Sequence, residues 1–280
     1  MSVLDRFRLD GGRALVTGAS RGIGKAVAEA LAEAGCDVAV AARTLPALRS
    51  TVAAVEERGR KAVALDGDLA LPEVATGLVE RAAAGLGGLD VVVLNAGVLP
   101  HGEDGAVLLE PLHRADPEDW NSVIAVNLSA TAALAGAAHD HLVSSGRGSL
   151  ILMSSIAGVA SLPALEAYGA AKAAQLSLVR SLAVGWARQG VRVNAVCPGW
   201  TRTDMTAFAT GYGALSDWLT SHVPLGRWAT TDEIAGATLF LASPAASYVS
   251  GHALFVDGGI TVPEIGLGGF PKPASPLAGG

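Results

Sequence analysis

The sequence predicts a doubly wound parallel α/β domain, and three observations carry that prediction. Short apolar, β-branched runs recur along the chain, Ala-rich helical stretches separate them, and a glycine-rich turn follows the first run. Apolar runs without polar alternation suit strands covered on both faces, and helices between successive strands make such a sheet parallel. Seven runs stand out: Ala14–Thr17, Val38–Ala42, Ala62–Leu65, Val91–Leu94, Leu150–Met153, Val191–Val196 and Ala253–Val256. A helix is expected from about Lys25 to Ala34, directly after the glycine turn. Nothing divides residues 1–260, so a single seven-stranded domain is expected there, with a Gly/Pro-rich irregular tail over 261–280. Residues 98–118 hold Pro100, Gly102, Gly105, Pro111 and Pro117 after a strand end. They are expected to form an elaborated loop at the place where α/β proteins put their ligands.

Composition narrows the function classes. The 280 residues hold 20 Lys+Arg against 26 Asp+Glu, a net charge of −6, and only 16% are charged. This acidity and the lack of a basic tract argue against a nucleic-acid partner. Alanine supplies 53 residues, so the core must gain stability from close backbone packing more than from bulky side chains. No uninterrupted apolar run approaches the roughly 18 residues of a membrane span. Asp5, Arg6, Arg8 and Asp10 are unlike a signal peptide. Cys36 and Cys197 are the only cysteines and form no CxxC pair, which fits the cytoplasm and offers no metal site.

The turn reads Thr17-Gly18-Ala19-Ser20-Arg21-Gly22-Ile23-Gly24. Glycines there let the backbone approach a pyrophosphate, which the unpaired N–H groups of the following helix then hold. The same residues fit G-x-S-x-G, the nucleophile elbow of hydrolases, but a serine after the first strand has no flanking sheet. The second strand ends Ala41-Ala42-Arg43, with no acid to take a ribose 2′-OH. Arg43 and Arg21 suit a 2′-phosphate instead, so the sequence predicts a Rossmann-type domain binding NADP (NADPH).

Tyr168 and Lys172 stand four apart, on one helical face. A phenol titrating at about 10 is a poor acid or base at neutral pH, and a neighbouring ammonium lowers that value. Such a pair can protonate a carbonyl oxygen while hydride arrives at its carbon.

With these residues in view, the chain resembles the short-chain dehydrogenase/reductase family over residues 10–260, near bacterial 3-oxoacyl-acyl-carrier-protein reductases. The glycine turn is similar to the family's TGxxxGxG, and Asn95-Ala96-Gly97 to its NAG, with Leu94 in place of a common second Asn. Ser155 lies thirteen residues before Tyr168, and Asn127, Pro198-Gly199, Thr203, Pro224–Arg227 and Val256–Gly259 match further segments. The resemblance implies that Tyr168 is the general acid and that Lys172 holds the nicotinamide ribose and lowers the Tyr168 pKa. Ser155 would bond the substrate oxygen, with Ser154 its rival by one residue. Asn127 would anchor a water linking Lys172 to solvent. Gly18, Ser20, Arg21, Gly22, Ile23, Gly24 and Arg43 would line the adenosine-phosphate half of the cofactor. Asp68 and Leu69 would meet adenine, and Asn95, Ala96 and Gly97 would pass beneath. Pro198, Gly199, Thr201 and Thr203 would lie at the nicotinamide.

The expected activity is NADPH-dependent reduction of a ketone, 3-oxoacyl-like or other, to a secondary alcohol by a cytoplasmic homotetramer acting on a small molecule. A sugar or polyol dehydrogenase is the first alternative, and a non-catalytic NADPH-binding regulator the second. His139 and His141 point apart on a helix and make a poor metal site. His101 is either a solvated loop residue or part of the substrate mouth. Cys197 reads as a buried packing residue. Trp200, Trp218, Trp228 and Phe208 form either an apolar lid or a plain cluster.

Overall fold

Seven strands form at the apolar runs: β1 (Arg13–Thr17), β2 (Asp37–Ala42), β3 (Ala62–Asp66), β4 (Val91–Leu94), β5 (Ser149–Met153), β6 (Arg192–Pro198) and β7 (Ala253–Val256). The computed structural model describes residues 2–102 and 105–262. All neighbours pair parallel, in the order β3-β2-β1-β4-β5-β6-β7. The order reverses between β1 and β4, the place where an open sheet of this kind leaves a crevice at its strand ends. β6 runs two residues past the expected Val196, because β7 continues the ladder with Cys197 opposite Phe255 and Pro198 opposite Val256. Proline closes the strand, where its missing donor does least harm.

The helices are α1 (Gly22–Glu33), α2 (Arg49–Glu57), α3 (Pro72–Leu86), α4 (Pro117–Ile124), α5 (Ala130–Ser145), α6 (Glu166–Trp186), α7 (Ala207–Thr210), α8 (Gly213–Thr220) and α9 (Thr231–Ala242). Successive strand residues face opposite layers. Ala14, Val16, Val38, Val40, Val91 and Val93 pack under α1, α2 and α9. Leu15, Ala39, Val92, Leu94, Leu150 and Leu152 pack under α3, α5 and α6. The helices contribute much alanine to these layers, Ala28 and Ala32 on one side and Ala82, Ala135 and Ala138 on the other, so their backbones lie close to the sheet.

Helix ends follow local chemistry. Asp116 caps α4 by accepting from the Glu118 N–H at 2.8 Å, with Pro117 in the first turn. Thr230 and Glu233 form a capping box at α9. Between α4 and α5 the chain widens into a π-turn, Ala125–Ser129, so that one rod runs from Pro117 to Ser145. This rod is long and apolar enough to cross a membrane by length and composition alone, at a mean hydropathy of 1.3. Here it lies in the helical layer between α3 and α6. Of the expected 98–118 loop, the described residues up to Asp116 are irregular, with one antiparallel bridge among them between His101 and Val107, and Pro117 already begins α4. Glu103 and Asp104 lie outside the described residues, as does the tail beyond Val262.

Below the sheet, the Asp90 side chain is only 3% exposed and takes Arg13 at 2.9 Å and Arg147 at 3.1 Å. Burial alone would raise its pKa, but bonds from the two guanidinium groups outweigh it and the value falls below the ordinary one. A depressed carboxylate stabilises the fold above its unfolded pKa of about 4, and that stability disappears as pH drops through the native value. Asp90→Asn is expected to lower the unfolding free energy by about 2–3 kcal/mol at neutral pH. Urea denaturation should show the gap closing only as pH falls below the ordinary carboxylate range and through the depressed native value, where the wild-type carboxyl is protonated as well.

Candidate active site

The crevice is assembled from the strand ends at the switch point. Gly18 takes a left-handed φ of 64°, and a Cβ there would meet the Ala96 Cα at 2.8 Å. A Cβ on Gly24 would run into the Gly18 carbonyl and the Asn95 amide. The glycine turn is therefore pressed directly onto the end of β4. Thr17 Oγ1 accepts from the Asn95 and Ala96 N–H groups at 3.0 and 3.1 Å. Asn95 Nδ2 returns bonds to the Thr17 and Gly18 carbonyls at 3.0 and 3.1 Å. Arg21 precedes α1 without a side-chain cap, which leaves first-turn N–H groups pointing at the cleft.

Two arginines stand at this end of the cleft. Arg21 pairs with Asp204 at 3.2 Å. Arg43 is exposed and forms no ion pair among the described residues.

At the other end, β5 delivers two serines that face different ways. Ser154 is buried and donates to the Lys172 carbonyl at 3.0 Å. Ser155 accepts from the Ala157 N–H at 3.1 Å and hydrogen-bonds Tyr168. Of the rival serines, Ser155 is the one that meets the phenol. Tyr168 and Lys172 lie one turn apart on α6, with Nζ 5.4 Å from the ring centroid. Lys172 is 3% exposed and donates to the Met153 carbonyl at 2.7 Å.

Burial pushes the Tyr168 phenol up to about 12, against the lowering bond from Ser155. Burial also brings Lys172 down to about 8. The expectation that Lys172 holds the phenol below 10 is corrected by this geometry: the ammonium sits over the ring, and desolvation governs both groups.

A cleft of about 950 Å³ joins the two ends. The glycine turn (Gly18, Ser20, Arg21, Gly22, Ile23, Gly24), Arg43, Asp68, Leu69 and Asn95–Gly97 line one half. Ser155, Tyr168, Lys172, Pro198, Gly199, Thr201 and Thr203 line the other. Asn127 is the exception. It is fully buried behind the wall, with Nδ2 donating to the Val98 and Val123 carbonyls and Oδ1 accepting from the Val98 N–H. His101 lines the cleft and contacts the Leu99 carbonyl through Nδ1 at 2.6 Å. Trp200 and Phe208 line it too, whereas Trp228 is buried in a cluster with Leu215 and Leu219, so the aromatic set is shared between wall and core. His139 and His141 turn to Gln189 and Glu80, and Cys197 is buried.

A family model described as enoyl-(acyl carrier protein) reductase matches residues 18–261. The chain belongs to the short-chain dehydrogenase/reductase family. Like its relatives in that family, it is an oxidoreductase of alcohol and carbonyl groups. It is 34% identical to gluconate 5-dehydrogenase of Gluconobacter oxydans over 262 residues, covering 94% of this chain and 99% of that one. It is 38% identical to cis-4-hydroxycyclohexanecarboxylate dehydrogenase of Sinomonas cyclohexanicum over 251 residues, covering 89% and 96%. A solved gluconate 5-dehydrogenase from Burkholderia cenocepacia, in complex with NADP and tartrate, superposes with a TM-score of 0.86 at 35% identity, covering 94% of this chain and all of that one.

Within this short-chain dehydrogenase/reductase, several cleft residues gave no sequence signal. Asp119 and Ser122 of α4, Leu162 and Leu165 before α6, and Ile260 and Thr261 after β7 reach the cleft through tertiary packing. Thr17 was detectable in principle, as the residue leading into the turn. The tight glycine contact yields a test. Gly24→Ala is expected to cost about 2–3 kcal/mol, since backbone and a pinned amide must yield. Gly236→Ala on α9 meets nothing within 4 Å and should be neutral or stabilising. Thermal melting of the two variants separates close packing from helix propensity.

Proposed function

We propose that this enzyme interconverts a compact, uncharged secondary alcohol and its ketone with NADP(H) as hydride carrier, Tyr168 serving as acid and base. The observation that carries the reading is the convergence of Ser155, Tyr168 and Lys172 at one end of a cleft whose other end holds an unpaired Arg43. The residues present fit the cofactor. Gly18 and Gly24 leave room for close backbone approach, and first-turn N–H groups of α1 suit a pyrophosphate. Arg43 would take the 2′-phosphate, because a guanidinium fork matches its oxygens. The NADP of the Burkholderia relative supports the same choice. When bound, NADP(H) supplies or accepts hydride at the substrate carbon. Ser155 would bond the substrate oxygen, Tyr168 would give it a proton during reduction, and the Lys172 ammonium would favour the phenolate left behind.

The names of the relatives, dehydrogenases of hydroxylated and cyclic substrates, favour a small secondary alcohol over a 3-oxoacyl thioester. Both named substrates are carboxylates, so the uncharged character proposed here rests on the cleft lining alone. The substrate half carries Leu162, Leu165, Trp200, Met205, Phe208 and Ile260, with Ser122 and Ser161 for hydroxyl contacts. Among the described residues, Arg21, Arg43 and Lys172 are the only lysines and arginines lining the whole cleft, and none is free near that apolar wall. Asp119 adds a negative charge there. A carboxylate or phosphopantetheine substrate would find no fixed cation.

Tyr168→Phe is expected to lower kcat by about 10²–10⁴-fold while NADPH binding, followed by fluorescence, stays intact. Arg43→Ala should raise the KM for NADPH about tenfold or more and leave NADH little changed. In a spectrophotometric panel, uncharged ketoses and cyclic ketones should outpace 5-ketogluconate and acetoacetyl thioesters. Faster wild-type turnover with NADH than with NADPH would overturn the role given to Arg43.

A further inference from the structure

On the buried stripe of α6, between Lys172 and Leu176, stands a polar residue that the proposed reaction does not use. Gln175 is 0% exposed. Its Nε2 donates to the Asn127 carbonyl at 2.6 Å and lies 3.4 Å from Thr131 Oγ1. Its Oε1 faces Lys172 Nζ at 3.4 Å. Carbonyl oxygens only accept, so the contact with Asn127 fixes which way the amide is turned. The Asn127 carbonyl is available because it lies in the π-turn, and it also accepts from Thr131 Oγ1 at 2.9 Å.

We propose that Gln175 is a positioning residue for Lys172, its amide oxygen anchoring the ammonium and its NH₂ group fastening that anchor to the π-turn. Lys172 has three N–H donors. Met153 takes one and Gln175 a second, which leaves the third for the cleft beside Tyr168. The Asn127 carbonyl, filled by Gln175 and Thr131, reaches Lys172 through the amide itself. An amide holds charge in place but has no spare proton to pass along.

The charged form of Lys172 depends on this anchor, since among the described residues no carboxylate is paired with it. Tyr168 lies beside it on its own helix, Cys197 faces it from β6, and Asp257 acts on Cys197 beyond. The π-turn and β5 present only Asn127 and the Met153 carbonyl. Lys172 already titrates near 8 through burial, so losing an acceptor lowers it further, and a carboxylate in the same place raises it.

The inference rests on Tyr168 and Lys172 being the acid–base pair, and the test separates the two ideas. The chain has four lysines, so ε-¹³C-lysine NMR of the full-length protein gives few signals, and Lys172 is assigned by its loss in Lys172→Met. In Gln175→Met, close in size but without the acceptor, the Lys172 midpoint should fall by about one pH unit. In Gln175→Glu it should rise. The pH above which ketone reduction declines should move in the same two directions, because reduction needs both protons on the pair. Thermal melting checks that each variant is folded, and if Gln175→Met does not fold, the upward shift in Gln175→Glu decides alone. A Lys172 midpoint unchanged in the folded variants overturns the proposal and leaves Gln175 as packing. Midpoints that move while the rate profile stays fixed keep the anchor and overturn the acid–base pair instead.

Discussion

A buried ammonium with no carboxylate partner among the described residues is the constraint around which the catalytic half of this protein is arranged. Taking a lysine charge out of water costs several kcal/mol, and here only dipoles answer it. The Met153 carbonyl comes from the end of β5 and the Gln175 amide from α6, braced by the π-turn carbonyl of Asn127. Three elements must therefore keep their places to within hydrogen-bond tolerance. Two further contacts hold the lysine backbone itself. Ser154 bonds the Lys172 carbonyl, and Gly158 packs so closely that a Cβ would meet that carbonyl group at 3.0 Å. A residue that looks like a single point of chemistry is thus the place where β5, α6 and the α4–α5 rod are fastened together.

The same economy of charge runs through the fold. With few bulky side chains to fill space, the layers close by bringing alanine-faced helices onto an apolar sheet. Close approach then makes individual atoms matter. At the switch point, four bonds join Thr17 and Gly18 to Asn95 and Ala96 across β1 and β4, two of them between Thr17 and Asn95, and the glycine turn has no room for a methyl group at Gly18 or Gly24. Asp90 ties the opposite end of the sheet through two guanidinium groups. The polar contacts at both ends bracket a sheet whose strands are joined by the backbone ladder and whose faces are held to the helices by hydrophobic burial and dispersion.

The central strands β1, β2, β4 and β5 were legible because both their faces are covered and they appear as apolar runs. By contrast, β6 carries Arg192 and Asn194 within its run, and the edge strands β3 and β7 are only partly buried. Tyr168 and Lys172 were legible because helical spacing alone puts them on one face. What was hidden depended on tertiary detail. Ser154 and Ser155 are equivalent by composition, and only the direction of the chain leaving β5 turns one inward and the other toward the phenol. Asn127 matches a family motif, yet every polar group it offers is taken inside the protein, so its position in sequence said little about access to the cleft. The Tyr168 pKa was misjudged for a related reason. Proximity to Lys172 can be read from spacing, whereas the burial that raises the phenol is set by tertiary packing that spacing does not show. Gln175, on the same buried stripe as Lys172, was not singled out from the sequence, because its partners Asn127 and Thr131 lie across the fold.

The two ends of the cleft thus handle charge in opposite ways, and each way suits its task. Arg43 stays in solvent, where a guanidinium costs nothing to keep charged and can meet a phosphate that arrives and leaves with the cofactor. Its attraction is weakened by salt and reaches only about a Debye length. Lys172 is sealed from solvent, where salt screens it little and where its protonation responds to the position of single dipoles. An exposed cation gives reversible recognition, while a buried one gives a charge whose strength the surrounding protein sets. The fold can supply both from one crevice because Arg43 follows the end of β2 in solvent, whereas Lys172 is carried on α6 against the end of β5.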